Sequence, residues 1–324
     1  MLIVILTLTF KKKLTKCGHS SVVERLVANE KVEGSTPFAR SIIMIIWISS
    51  YPKSGNTYLR SFLSSYYYSD DGKFDFDQLV NIHQFPSIKF SKIKPISKEE
   101  ASKYWIFNQN NFFDKNKLNL VKTHNCLLPY QGNEFASKTE TIGAIYIVRD
   151  PRNVITSLTN HYSLSYEKAL ETMLDEDCSL LEKSFDQDFS NFTYLNSWSN
   201  HYKSWKNNLN FETLFVKYEE IENNKEEIFK KIIFFIEKVS KRNSKFNEKK
   251  FLNSIKSTNF SNLKNKELNE GFEESIYSRK MGKKINFFNL GFNNRWQKLL
   301  PLDIKDQVNE KFKANLKELD YLND

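Results

Sequence analysis

The chain has 324 residues, a formal net charge of +9 at pH 7 and three cysteines, Cys17, Cys126 and Cys178. Its length is enough for one sizeable α/β domain. Three cysteines without metal-ligand spacing exclude a disulfide framework and favour the reducing cytoplasm. The apolar run at residues 1–10 is far shorter than the ~20 residues of a transmembrane helix, and we expect no membrane span.

Residues 1–43 do not read like a protein segment. Ser-Ser-Val-Val-Glu-Arg at residues 20–25 is a translation of the D-arm of a transfer RNA gene, and Gly-Ser-Thr-Pro at residues 34–37 is a translation of the T-arm. The two stretches start fourteen codons apart, as those arms do in a small transfer RNA. We interpret this segment as a translated tRNA gene, hence a spurious or disordered extension before an initiator at Met44. A genuine N-terminal extension is the alternative.

Removing that segment changes the charge argument. Residues 1–43 hold seven Lys and Arg and three Asp and Glu, which leaves +5 for residues 44–324. An excess this mild suits a site for a multiply anionic nucleotide better than a nucleic-acid surface. We therefore expect no nucleic-acid partner, and we leave the oligomeric state open, a homo-oligomer included.

The segment at residues 44–60 predicts a strand, a tight loop and a helix. A β-branched apolar run at about 44–50 leads into Tyr-Pro-Lys-Ser-Gly-Asn-Thr at residues 51–57, and an apolar-periodic stretch follows. Such a loop presents backbone N–H groups at a helix N-terminus, which favours a phosphate. Lys53 adds a cation, while Ser54 and Thr57 add hydroxyl donors. The ATP-type loop is absent because no glycine precedes the lysine at the required spacing.

Two later strands also end in chemistry-bearing residues. The run at 118–124 ends in Lys122-Thr123-His124. The run at 141–149 ends in Arg149-Asp150-Pro-Arg, where the proline starts a helical segment. With a further strand at 211–217 and helical segments between, the pattern indicates βαβ units and a parallel sheet.

The rest of the domain carries weaker signals. Residues 70–117 are irregular and are interpreted as a lid over the substrate mouth. Trp198 and Trp205 lie seven apart on one helix face, where core packing is expected. Amphipathic helices are expected at Glu226–Glu237 and Asp303–Leu319.

Together the loop, the Lys-Thr-His strand and the Arg-Asp-Pro-Arg strand, with Ser157 eight residues after Arg149, resemble the motifs of sulfotransferases that use 3′-phosphoadenosine 5′-phosphosulfate (PAPS). The resemblance covers roughly residues 44–322 and implies a single sulfotransferase domain at 44–324. It also implies an α/β fold with a parallel central sheet flanked by helices, the P-loop-like sulfotransferase fold. The co-substrate would be PAPS, without a metal, and the acceptor a small molecule or a glycan.

The resemblance assigns roles residue by residue. His124 would be the general base on the acceptor hydroxyl or amine, Lys53 would stabilise the leaving group, and Lys122 and Ser157 would assist. The nucleotide would be bound by the residues at matching motif positions: Lys53, Ser54, Gly55, Asn56, Thr57, Tyr58, Arg149, Ser157, Tyr218, Thr258, Phe260, Asn289 and Gly291.

One motif departs from the family pattern. The family has Arg-Lys-Gly with a tryptophan five residues after the glycine, whereas here Asn289-Leu290-Gly291 precedes Trp296. Both basic residues are replaced. Either Asn289 with the backbone of Gly291 suffices, or a nearby cation takes over, the candidates being Arg279, Lys280, Lys283 and Lys284.

Two other functions remain open at this stage. A kinase-like phosphotransferase with a phosphate loop would need a complete ATP-loop motif and a strand-ending aspartate for Mg²⁺. A catalytically inactive nucleotide-binding protein would have no need of Lys53, Lys122 and His124 together.

Overall fold

The computed structural model of the chain describes residues 42–181, 188–278 and 282–322. Apart from residues 42 and 43, the predicted extension lies outside them. The strands are β1 (Met44–Ser50), β2 (His83–Gln84), β3 (Leu118–Thr123), β4 (Thr141–Val148), β5 (Ser179–Leu180), β6 (Thr193–Tyr194), β7 (Thr213–Lys217), β8 (Ile276–Ser278) and β9 (Lys283–Ile285). The helices are α1 (Asn56–Tyr68), α2 (Lys98–Lys103), α3 (Trp105–Phe112), α4 (Pro151–Tyr162), α5 (Tyr166–Leu174), α6 (Trp198–Lys206), α7 (Tyr218–Asn223), α8 (Lys225–Ser240), α9 (Glu248–Ser257), α10 (Phe260–Glu270), α11 (Trp296–Leu299), α12 (Leu302–Lys311) and α13 (Lys313–Glu318).

A five-stranded parallel sheet in the order β2-β3-β1-β4-β7 forms the centre. In its register, Ser49 near the end of β1 lies beside Thr123 of β3 and Tyr146 of β4. The carboxyl ends of these three strands therefore meet at one edge, where open α/β sheets bind their ligands. The predicted α/β fold with a parallel sheet is confirmed.

The three central strands, β3, β1 and β4, are largely buried on both faces, as expected for parallel strands. Along β1, Ile45 and Trp47 join one apolar cluster, while Ile46 and Ile48 join the other. Trp198 and Trp205 are fully buried in the first cluster. Their predicted role in core packing is therefore confirmed.

The structure adds elements that the sequence pattern did not predict. The stretch at 70–117 holds the two-residue edge strand β2, the short helices α2 and α3, and 3-10 turns at Phe76–Asn81 and Ile88–Phe90. The last predicted helix is divided into α12 and α13 at Phe312, which is fully buried. The sequence pattern does not reveal this break, because the apolar residues of both helices pack into the same cluster and keep one amphipathic pattern.

Among the described residues, none of the helices combines the length and the apolar character that crossing a bilayer requires.

We propose that the domain begins at Met44 and that residues 1–43 are dispensable. A chain starting at Met44 is expected to keep its fold and its nucleotide binding. Ile43, however, is buried and bridges to Lys115, and the Asn116 N–H donates to the Ile42 carbonyl at 2.7 Å. A chain starting at Ile42 should therefore be more stable than one starting at Met44, by at most about 1.5–3 kcal/mol for one buried Ile side chain. Thermal melts of both chains and the full protein check this, and insolubility of both truncated chains would contradict it.

Candidate active site

The loop between β1 and α1 is shaped to present backbone N–H groups. Lys53 and Gly55 have positive φ angles of 67° and 100°. A Cβ on Gly55 would lie 2.4 Å from a ring carbon of Tyr218, so both the backbone and its neighbour require glycine. The first N–H groups of α1 have no acceptor within the helix, which makes the loop a ready anion site.

The side chains of the loop point in different directions. The Asn56 amide donates to the Ile48 carbonyl at 2.9 Å and is thereby tied to β1. Ser54 is buried, and its hydroxyl has no hydrogen-bond partner within the described part of the chain. The Thr57 hydroxyl instead donates to Glu274, at 2.7 Å. Asn56 can thus donate to a ligand through its backbone N–H, whereas the Thr57 hydroxyl can do so only in exchange for Glu274.

A cavity of about 470 Å³ opens at this edge of the sheet. Most of the predicted site residues line it: Lys53, Gly55, Asn56, Thr57, Tyr58, Lys122, His124, Arg149, Ser157, Tyr218, Phe260, Asn289 and Gly291. The other two are not among its lining residues. They are Ser54, described above, and Thr258, which is buried and donates its hydroxyl hydrogen bond to the Ser254 carbonyl at 2.6 Å.

His124 is held in one orientation. Its Nδ1 lies 2.7 Å from the Ser50 carbonyl oxygen, which can only accept, so Nδ1 carries the proton. His201 donates from Nε2 to the His124 carbonyl at 2.9 Å. Burial, helped by the charge of Lys122, lowers the pKa of His124 to about 3. The ring is therefore neutral at physiological pH, with an unprotonated Nε2.

Lys53 lies in an apolar setting for a cation. Its Nζ is 3.7 Å from the centroid of the Phe287 ring. Burial lowers its pKa to about 7, the Glu274 carboxylate works against that shift, and Arg149 and Lys122 add to it. An anion arriving beside Lys53 would favour its charged form.

His161 is a cavity residue that the sequence reasoning missed. It lies one helical turn after Ser157 on α4, and burial, helped by the charge of Lys53, lowers its pKa to about 3. Ser157 and His161 are four residues apart and so lie on the same face of α4, and this spacing could have identified His161 from the sequence.

Arg149 is positioned by the loop and by an aromatic ring. Its guanidinium donates to the Lys53 carbonyl at 3.0 Å and lies 4.4 Å from the centroid of the Tyr218 ring. Its buried Nε has no hydrogen-bond partner in the described residues. Asp150 forms its ion pair with Arg152, at 2.7 Å. Arg149 therefore keeps a buried N–H donor that a ligand oxygen could accept from.

The divergent motif lies in the C-terminal wall of the cavity, which is formed by Phe287, Phe288, Asn289, Leu290, Gly291 and Asn294. Gly291 has a φ of 55°, and a Cβ on it would lie 2.6 Å from the Phe260 ring. Trp296 stacks on the guanidinium of Arg152, at 4.0 Å from its ring centroid.

The basic residues near this wall are distributed as follows. Arg279, Lys280 and the side chain of Lys283 lie outside the described residues, and Lys284 lies beside Gly271 in a neighbouring groove. Lys264, which the sequence reasoning did not consider, donates to the Asn289 carbonyl at 3.0 Å. Its position one turn after Phe260 on α10 is the signal that could have identified it.

Two glutamates were also missed. Glu267 on α10 accepts hydrogen bonds from the N–H groups of Phe287 and Phe288, at 2.7 and 2.8 Å, and so fixes the segment that carries the ring under Lys53. Glu274 reaches into the cavity itself. Within residues 42–181, 188–278 and 282–322, no three His, Cys, Asp or Glu side chains are grouped as metal ligands.

The chain matches the sulfotransferase domain family over residues 45–320, whereas no curated protein sequence matches it. The mouse sulfotransferase SULT7A1 complexed with PAP is 20% identical, with a TM-score of 0.52 over 87% of this chain and 86% of that one. Retinol dehydratase complexed with retinol and PAP is 16% identical, with a TM-score of 0.51 over 84% and 81%. At these identities the two structures show a shared fold. The family match spans nearly the whole domain, and the chain therefore belongs to the sulfotransferase family.

Proposed function

We propose that this protein transfers the sulfuryl group of PAPS to a hydroxyl or amine of a small-molecule or glycan acceptor. The observation that carries the proposal is that one cavity is lined by the loop between β1 and α1, by the neutral His124 and by Arg149, which stacks on the Tyr218 ring. The two solved structures named above contain PAP, which is 3′-phosphoadenosine 5′-phosphate, the nucleotide product of this reaction.

The nucleotide would lie along the strand ends. The backbone of the loop and the Thr57 hydroxyl would bind the 5′-phosphate, and Arg149 and Ser157 would bind the 3′-phosphate. The partnerless Nε of Arg149 supports this assignment, because a buried donor without an acceptor is costly unless a ligand satisfies it. The rings of Tyr218 and Phe260 would contact adenine.

The chemistry requires a base on the acceptor and a cation on the departing oxygen. The unprotonated Nε2 of His124 would take the acceptor proton as the acceptor oxygen or nitrogen bonds to sulfur. The bond from sulfur to the bridging oxygen breaks, and its electron pair stays on the 5′-phosphate. Lys53 would neutralise that oxygen, and Lys122 would stabilise charge on the sulfuryl oxygens.

The compartment that we propose is the cytoplasm. Cys126 and Cys178 are free and buried, a state that a reducing compartment preserves.

The proposal is tested with sulfur-labelled PAPS and a panel of alcohols, phenols, amines and glycans, in parallel with ATP and with or without EDTA. We expect label transfer to at least one acceptor class, unaffected by EDTA. Phosphoryl transfer from ATP that EDTA abolishes would favour the kinase-like alternative. Binding of PAP without any transfer would favour the inactive nucleotide-binding protein.

Arg149→Ala is expected to weaken PAP binding by about 1.5–3 kcal/mol, the contribution of a hydrogen bond to a charged group. Binding of adenosine 5′-phosphate, which lacks the 3′-phosphate, should barely change. Arg295→Ala is a matched loss of one positive charge, since Arg295 is exposed and paired with Glu222, and it should leave both affinities unchanged. Isothermal titration calorimetry measures the six dissociation constants, for the wild type and the two variants with each of the two nucleotides. Equal losses for the two nucleotides in Arg149→Ala would mean that Arg149 does not read the 3′-phosphate.

A further inference from the structure

The Glu274 carboxylate is held by three donors at the start of α1. Its Oε2 accepts from the Thr57 hydroxyl at 2.7 Å. Its Oε1 accepts from Lys122 at 2.9 Å and from Arg60 at 2.7 Å. Burial acts to raise the pKa of Glu274, but Lys122, Arg60 and the hydrogen bonds outweigh it and hold that pKa well below its usual range. The group is therefore an anion at neutral pH, paired with two cations beside the cavity.

These donors are the ones that a bound phosphosulfate group would use. Thr57 is the second residue of α1, where the unpaired N–H groups and the helix dipole favour an anion. Its hydroxyl has one proton to donate, so it can serve either Glu274 or a ligand oxygen, not both. Lys122, which is almost fully buried, is likewise drawn to the carboxylate. The charge of Glu274 also acts directly on Lys53.

A ligand anion and the Glu274 carboxylate would repel each other at this short range. We propose that Glu274 occupies the place of the donor's 5′ anionic group in the nucleotide-free enzyme, and that nucleotide binding displaces it. This inference rests on the proposed function and adds to it a residue that weakens donor affinity. When the product leaves, Glu274 would again become the anionic partner of Thr57 and Lys122.

The displaced carboxylate has a place to go. Glu274 also lines a second, more open groove of about 1170 Å³, which shares Gln84, Asn191 and Glu273 with the first cavity. Arg60 lies in that groove. A change in the side-chain torsions of Glu274 would carry the carboxylate from Thr57 into the groove and keep its charge near Arg60.

The test is the affinity for PAP of the wild type, E274Q and E273Q. Glu273 is a matched control because it lines the same cavity and is exposed to solvent. E274Q should bind PAP about tenfold more tightly or better, the equivalent of ~1.4 kcal/mol, and E273Q should bind as the wild type does. A carboxylate that merely supports the site would give the opposite sign, with weaker binding in E274Q. Unchanged or weaker binding in E274Q overturns the inference.

Stability gives a second readout. E274Q without ligand should melt at a lower temperature than the wild type, because Lys122 and Arg60 lose their anionic partner. The rise in melting temperature on adding PAP should then be larger in E274Q, and an equal or smaller rise counts against displacement. If E274Q does not fold, E274D is used in its place, since its shorter carboxylate keeps the charge but withdraws from Thr57.

Inorganic sulfate separates this inference from the proposed function. If neither the wild type nor E274Q binds PAP, the proposed function fails. Sulfate that binds E274Q more tightly than the wild type would still support Glu274 as an internal anion, and equal sulfate binding would overturn it.

Discussion

His124→Ala is expected to abolish sulfuryl transfer to aliphatic alcohols and to leave more activity toward acidic phenols. General-base catalysis contributes about 10²–10⁴-fold to the rate. An alcohol whose pKa lies far above neutral depends on all of that contribution, whereas an acidic phenol ionises with less help. The hydrogen bond from Nδ1 to the Ser50 carbonyl, at 2.7 Å, leaves Nε2 available for this role. The measurement is turnover against acceptor pKa for both proteins, and the variant should show a markedly steeper dependence.

Binding of PAP serves as the control for this variant. His124 is assigned to the acceptor side, so the affinity of His124→Ala for PAP should stay near that of the wild type. An identical dependence on acceptor pKa in the two proteins would show that His124 is not the base. Weaker PAP binding with an unchanged dependence would move His124 to the nucleotide side of the site.

The strands were predictable because each one carries a strong local signal. The apolar runs at 44–50, 118–124, 141–149 and 211–217 agree with the observed strands to within two residues at either end. Strand β2 has only two residues, both exposed, and therefore lacks the alternation on which such predictions depend. Its pairing with β3 is a tertiary effect that no local pattern encodes.

The candidate site was predictable where motifs follow strands and unpredictable where contacts span the chain. His124 and Arg149 come directly after β3 and β4, and Lys53 lies three residues after β1, so the parallel sheet brings them together. Glu274 lies 217 residues from Thr57 along the chain. Its neighbours along the chain, Glu273 and Ser275, give no indication of an ion pair with Lys122 and Arg60.

Thr258 shows that the direction of a hydroxyl group is hard to predict from a motif. Its place before Phe260 resembles a nucleotide contact, yet its hydroxyl is used by the carbonyl of Ser254 one turn earlier. A threonine at a helix end often bonds to its own backbone in this way. A motif predicts where an aromatic ring lies more easily than it predicts where a hydroxyl group points, because a nearby backbone carbonyl can accept the hydrogen bond of the hydroxyl.

Lys53→Ala is expected to lower turnover by about 10²–10³-fold, the loss on removing one preorganised group that stabilises developing charge. Lys53 follows β1 in the anion-binding loop, with its Nζ over the Phe287 ring in the cavity. The loss should be largest with PAPS and smaller with a sulfate donor whose leaving group is more acidic, because such a group carries its negative charge without help. Single-turnover rates with the two donors test this, and equal losses would mean that Lys53 does not act on the leaving oxygen.

Lys53→Arg provides the control through the pH profile. The pKa of Lys53 in the free enzyme is lowered to about 7, chiefly by burial, so Lys53 is a cation below pH 7 and neutral above it. In the wild type, kcat/KM for PAPS should be level below pH 7 and fall by up to about tenfold per pH unit above it, as expected when a single protonated group is required. Arginine stays charged over this range, so Lys53→Arg should be slower than the wild type but should lack that fall. At saturating PAPS the fall in kcat should move to higher pH in the wild type, since the bound anion stabilises the Lys53 cation. The same fall in Lys53→Arg would assign the titration to another group.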